Sequence, residues 1–178
     1  CALLFFVNVF GFWGFIERIG QAGGLPAETI GAALGVAQLA AIGGALAAVA
    51  ASNRYGRYWP LLIVFVGQVL ALYAVAGRFG ALAYFVSTGL FQPLFIVGVS
   101  YQMGAIAELD TRGRFLVMMT AAQGLGAAIG PAVAAPLIGA SAGYGGILWL
   151  SAALCLSSTL AFLFIVHRSL RLEGSSNV

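Results

Sequence analysis

Charge is what this sequence has least of. Only 7% of its 178 residues are charged, eight basic and five acidic, where soluble domains carry about a quarter. So few charges cannot clothe a domain of this size in water, which excludes an ordinary soluble surface and makes lipid the expected solvent. The net charge of +3 and the pI near 9.2 would suit nucleic acid. No basic cluster exceeds two arginines, however, and each sits between apolar runs, so nucleic acid is set aside as a partner. Cysteine is as scarce: Cys1 and Cys155 show no CxxC or Cys/His spacing, which leaves no disulfide framework and no metal site to expect. A basic leader with a small-residue cleavage site is missing as well. The chain opens on Cys1 and is apolar from Ala2, so it is expected to be a fragment rather than a protein with a signal peptide.

What fills the sequence instead is apolar: 62% of the residues are hydrophobic and the mean hydropathy is +1.03. A membrane-crossing helix needs about 20 mostly apolar residues, at about 1.5 Å each across about 30 Å of hydrocarbon. That ruler gives six spans, over about 1–20, 27–51, 60–76, 81–107, 115–139 and 146–167, with a tail over 168–178. The breaks between them carry turn and cap residues: "QAGGLPAE", "SNRYGRYW", "GRFG", "ELDTRGR" and "ASAGYG". Pro26 and Pro60 fall where helices begin, and Asp110 or Thr111 suits the N-cap of the fifth span. Barrel strands of about ten alternating residues are not visible and the runs are apolar all round. The expected fold is an all-α membrane protein, a bundle of six transmembrane helices.

Arginines set the orientation, because Lys and Arg collect in cytoplasmic loops. Arg54, Arg57, Arg112, Arg114, Arg168 and Arg171 lie on one side, and Arg18 and Arg78 on the other. The second loop, the fourth loop and the C-terminus are therefore expected in the cytoplasm. The six spans also divide three and three with a basic turn after the second and fourth, the pattern of an inverted repeat.

The turn "SNRYGRYWP" resembles the loop between the second and third helices of a half of the major facilitator superfamily, whose pattern is acid, basic, any residue, glycine, basic. Asn53, Arg54, Tyr55, Gly56 and Arg57 occupy those places, with asparagine for the acid. "GLGAAIGPAVAAP" resembles the family's glycine-proline motif through Gly126, Gly130 and Pro131, although Ala134 and Ala135 stand where two glycines follow. "ELDTRGR" is similar to the charged loop before the eleventh helix. The resemblance covers the whole chain as helices seven to twelve, the C-terminal half. It implies a secondary active transporter that moves a small organic solute by alternating access with proton coupling, in the plasma membrane of a bacterium (the inner membrane). It also implies a missing N-terminal six-helix half as partner and no cofactor; no nucleotide-binding motif is present. The alternative of another class is a six-span channel or membrane assembly subunit.

Each motif has two physical readings. Gly56 permits a tight turn, and Arg54 and Arg57 either reach helix C-terminal carbonyls and neighbouring acids or simply follow the positive-inside bias. Gly126 and Gly130 let two helices approach closely, while Pro131 kinks a helix. Polar residues inside spans mark substrate paths or bond helices together. Asn8, Gln38, Gln68, Gln92 and Gln123 are such residues, and Tyr84, Thr88, Phe91, Phe95 and Gln102 recur at helical spacing in the fourth span. The resemblance turns spans one, two, four and five towards the central cavity. That favours Asn8, Gln38, Gln92 and Gln123, with Trp13, Tyr84 and Thr88, and demotes Gln68. Glu17 shares a helical face with Phe10 and Trp13 about 24 Å along the first span. It is either an interfacial acid or a proton-coupling group. Finally, "GASAG" fits the nucleophile pattern GxSxG, but a whole span separates Ser141 from His167 by about 30 Å, which excludes a protease.

Overall fold

The computed structural model of the chain describes residues 2–51, 56, 58–77, 80–110, 113–140 and 145–176. Regular structure among them is helical throughout: α1 (Ala2–Trp13), α2 (Ile16–Ala22), α3 (Ala27–Ala51), α4 (Tyr58–Gly77), α5 (Ala81–Leu109), α6 (Arg114–Ala140) and α7 (Gly145–Ser176). α1 and α2 form one rod, broken at Gly14 and Phe15, so the helices make six rods. Ala2–Ala22, Ala27–Ala51, Ala81–Ala107 and Arg114–Leu137 are long and apolar enough to cross a membrane; α4 and α7 hold shorter apolar stretches, Trp59–Val75 and Gly145–Ser158, among the described residues. α7 runs to Ser176 and so includes most of the segment from 168.

The break in the first rod is not visible in the hydropathy pattern. The Phe15 N–H bonds the Phe12 carbonyl at 3.1 Å, an i to i−3 contact that tightens the turn. Phe15 itself leaves helical geometry, at φ −115 and ψ 3. A carbonyl beyond the break is served from another rod, since the Tyr84 hydroxyl donates to the Ile16 oxygen at 3.1 Å. In hydrocarbon such a service matters, because no water is there to replace it.

Helix starts follow local chemistry. Pro26 stands just before α3 and its carbonyl accepts from the Ile30 N–H at 3.1 Å. Asp110 caps α6: its Oδ1 accepts from the Arg114 N–H at 3.0 Å and its Oδ2 from the Leu116 N–H at 2.9 Å. Thr111 lies outside the described residues. Gly24 and Gly113 turn the chain before α3 and α6 at φ 75 and φ 71, a left-handed conformation that glycine adopts without penalty.

The rods pack in a pattern that survives exchange of the first three for the last three. α3 packs on α5 as α6 packs on α1; α4 packs on α5 as α7 packs on α1; α4 and α7, which correspond to each other, also touch. The two closest crossings share their chemistry too. A Cβ built on Gly44 of α3 would lie 2.6 Å from the Pro93 carbonyl oxygen of α5. One built on Gly14 would lie 3.5 Å from the Pro131 ring of α6, an ordinary contact rather than a clash. Glycine and proline thus face each other at both crossings, with their rods exchanged. Farther along α6, a Cβ on Gly130 would be 2.6 Å from the Gly11 nitrogen, and one on Gly126 would strike the Phe6 Cβ. Between rods in lipid there is no hydrophobic drive, so this close fit and a few polar bonds hold the bundle. The outer faces of α3 and α6 remain apolar and uncovered, through Leu39, Ile42, Leu46 and Val49 on one and Val117, Leu125 and Val133 on the other.

Candidate functional site

α1 and α5 are antiparallel neighbours whose backbones stay apart and whose rings fill the space between. Phe5 stacks on Phe95 at 6.1 Å, and Phe10 meets the same ring edge-on at 6.3 Å. One turn along, Phe12 approaches Phe91 at 4.8 Å and Trp13 stacks on it at 6.1 Å with only 9° between planes. Phe5, Phe12 and Phe91 are buried, whereas Phe10, Trp13 and Phe95 are half-buried. The seam therefore has an open edge. Such ring pairs contribute about 0.5–1.5 kcal/mol each beyond their area, which makes the seam a firm surface rather than a loose gap.

Gln92, next in sequence to Phe91, is half-buried and donates through Nε2 to the Oε1 of exposed Gln38 at 3.4 Å, from α5 to α3. Two residues singled out by sequence thus meet beside the ring seam. Gln123 is half-buried on α6, and no hydrogen bond joins it to this pair among the described residues.

Tyr84 and Thr88 have a different setting. Both are buried, and Thr88 Oγ1 donates to the Tyr84 carbonyl at 2.9 Å while the Tyr84 hydroxyl is committed to the Ile16 oxygen. Gln102 is buried as well. Most of the stripe read on the fourth span therefore faces into the bundle, and Gln92 beside it reaches the open edge.

Asn8 is buried where α1 meets α4 and α7. Its Nδ2 donates to the Gln68 Oε1 at 3.5 Å, and the Cys155 thiol lies 3.6 Å from the Phe65 carbonyl and 4.0 Å from the same glutamine oxygen. Gln68, which the resemblance placed outside the cavity, is thus the partner of Asn8. The Asn8 Oδ1 and Gln68 Nε2 have no partner among the described residues. Sequence reading missed this link because nothing local to α1, α4 or α7 says which faces meet. It also passed over Gly44 and Pro93, for which a signal existed: a proline inside an apolar span, as at Pro131.

Glu17 is exposed and its Oε1 accepts from the Gln21 Nε2 at 3.2 Å. Arg18, its neighbour, holds its guanidinium 5.8 Å from the centre of the Phe15 ring. Of the conformational motif, Gly56 has φ 63, which requires glycine at that turn. Asn53, Arg54 and Arg57 lie outside the described residues, as do Ser141 and the side chain of His167. No group of three metal-ligating side chains occurs among the described residues. An apolar hollow of about 500 Å³ opens between α1, α5 and α6, against Leu3, Ile106, Phe115, Met118 and Met119. It offers no polar group to orient a ligand, unlike the edge at Gln92.

The searches of curated proteins and of solved structures returned no match. The model of one family, described as the Major Facilitator Superfamily, matches residues 1–177. That match covers almost the whole chain and agrees with six apolar rods packed in exchangeable threes. The chain belongs to the Major Facilitator Superfamily and is a multi-pass membrane transport protein.

Proposed function

We propose that this chain is the C-terminal half, helices seven to twelve, of a secondary transporter that moves a small organic solute by alternating access. The observation that supports the reading best is the exchange relation between the rods: α3 on α5 and α6 on α1, each with a glycine against a proline. Two equivalent crossings give a half that can rock as one body while its exposed α3 and α6 faces meet the partner half. The path for the solute runs along the open edge formed by Trp13, Gln38, Gln92 and the half-buried rings, with Gln123 on the other flank. Drive comes from a proton gradient, and the protein sits in the plasma membrane of a bacterium with its C-terminus in the cytoplasm.

The experiment is counterflow into liposomes holding the full-length protein. Gln92→Ala lowers the initial rate of uptake while the amount of folded protein is unchanged. An unaltered rate would remove Gln92 from the path. The gene upstream of Cys1 supplies a second check: six further apolar spans, with a basic-x-glycine-basic turn between the second and third, are expected there, and a different arrangement overturns the assignment to the C-terminal half.

A further inference from the structure

We infer that the buried node where Asn8, Gln68 and Cys155 meet binds a water molecule in the middle of the membrane, and that this water ties α1, α4 and α7 together. The inference does not depend on the transport reading. Asn8 and Gln68 are 1% and 0% exposed, and each keeps one polar atom without a partner among the described residues: an acceptor, Asn8 Oδ1, and a donor, Gln68 Nε2. The bond that joins the two amides is long, 3.5 Å against about 2.9–3.0 Å for a good N–H···O bond. The Cys155 thiol is held as loosely, 3.6 Å from the Phe65 carbonyl and 4.0 Å from Gln68 Oε1. Three rods thus bring polar groups to one spot, and two of the polar atoms there are left wanting.

The identity of the ligand follows from the tally. One donor and one acceptor are left over, and turning both amides over exchanges their roles without changing that count. The ligand must therefore donate and accept at once. It must also be neutral, since α1 and α4 carry no charged side chain and α7 carries none before His167. An ion there would lose its hydration without a counter-charge. Finally it must be small, because Asn8, Phe65, Gln68 and Cys155 are all buried. Water meets the three conditions, and bonding otherwise unsatisfied polar groups is what buried waters do.

The position makes this water consequential. Gln68 stands near the middle of α4, about 15 Å from the aqueous phase on either side. In hydrocarbon no passing solvent replaces a missing bond, so a resident water has to serve both amides. α7 also turns Ser151 and Ser158 inward with Cys155, at helical spacings of four and three, and all three are buried. The inward face of α7 is therefore polar over two turns, which suits rods joined in lipid by polar bonds rather than by hydrophobic drive.

Two measurements on the full-length protein in lipid nanodiscs test the site. A density map that resolves ordered water shows one within hydrogen-bond distance of an amide atom of Asn8 and of Gln68, in a buffer whose only monovalent cation is choline. The second measurement is oxidation of Cys155 by hydroxyl radicals made in place by a short X-ray pulse, read by mass spectrometry. Only water lying against a buried thiol delivers the radical to it, so Cys155 is oxidised while a water-soluble thiosulfonate leaves it unmodified. In the double variant Asn8→Leu with Gln68→Leu that oxidation is lost. A dry node in the map, or equal oxidation with and without the two amides, overturns the inference. Density that appears only when sodium is present makes the ligand a cation and overturns it too. Reaction of the thiosulfonate with the wild type does the same, because bulk solvent rather than a bound water would then reach the thiol.

Discussion

Gly44 and Pro93 meet backbone to backbone: a Cβ at position 44 would lie 2.6 Å from the Pro93 carbonyl oxygen and 2.8 Å from its Cα. Real Cβ atoms do not come so close, and the neighbour is backbone that cannot swing aside. Gly43, one residue earlier, has nothing within 4 Å of the same construction.

Two adjacent glycines therefore give opposite outcomes. Gly44→Ala forces α3 and α5 apart and lowers stability by about 1–3 kcal/mol, as overpacking does. Gly43→Ala is neutral or slightly stabilising, since alanine favours the helix by about 1 kcal/mol over glycine. Thermal unfolding of the two variants in the same detergent separates them. Equal midpoints would mean that the crossing has room for a methyl group.

At the equivalent crossing, Gly130→Ala meets the Gly11 nitrogen and loses stability by a similar amount. The two crossings share no residue, so the double variant Gly44→Ala with Gly130→Ala loses roughly the sum. A double variant no worse than either single one would show that the crossings yield together.

Asn8 and Gln68 form a buried pair with one polar atom of each left over. Replacing one partner strands the other in hydrocarbon and costs about 1–2 kcal/mol, whereas replacing both by leucine is close to neutral. The measurement is a double-variant cycle on unfolding midpoints with Asn8→Leu and Gln68→Leu. Purely additive losses would contradict the bond.

Tyr84→Phe keeps the ring but removes the donor to the Ile16 carbonyl at the break in the first rod. A loss of about 1 kcal/mol is expected, with faster hydrogen exchange confined to residues about the break. Exchange that does not change there would show that the hydroxyl does not hold the α1–α2 junction.

Asp110→Ala removes both acceptors from the start of α6 and costs about 1 kcal/mol. Asp110→Asn keeps one oxygen acceptor and recovers part of the loss. Should the two variants match the wild type, the cap contributes nothing to the bundle.

Much of the fold was legible along the chain, because apolar length is a local property. A run such as Ala27–Ala51 has no alternative in lipid but a helix, and the Asp110 cap follows from one residue type at one position. The site was legible only in part. Gln38 and Gln92 stand out as polar residues in apolar spans, yet nothing in either span states that they bond each other. Tyr84 and Thr88 share a stripe with Phe95 by spacing, but only the crossing of α5 with the first rod turns Tyr84 inward to the Ile16 carbonyl.

The sequence by itself determined the class of the molecule: too little charge for water, rods of membrane length, and a glycine and proline motif that resembles one transporter family. The tertiary structure decided which faces meet. In hydrocarbon any apolar face is equally content with lipid, so composition cannot say which one is buried. That choice falls to backbone fit, where Gly44 admits Pro93 and Gly130 admits Gly11, and to the few polar groups that need a partner, as Asn8 needs Gln68.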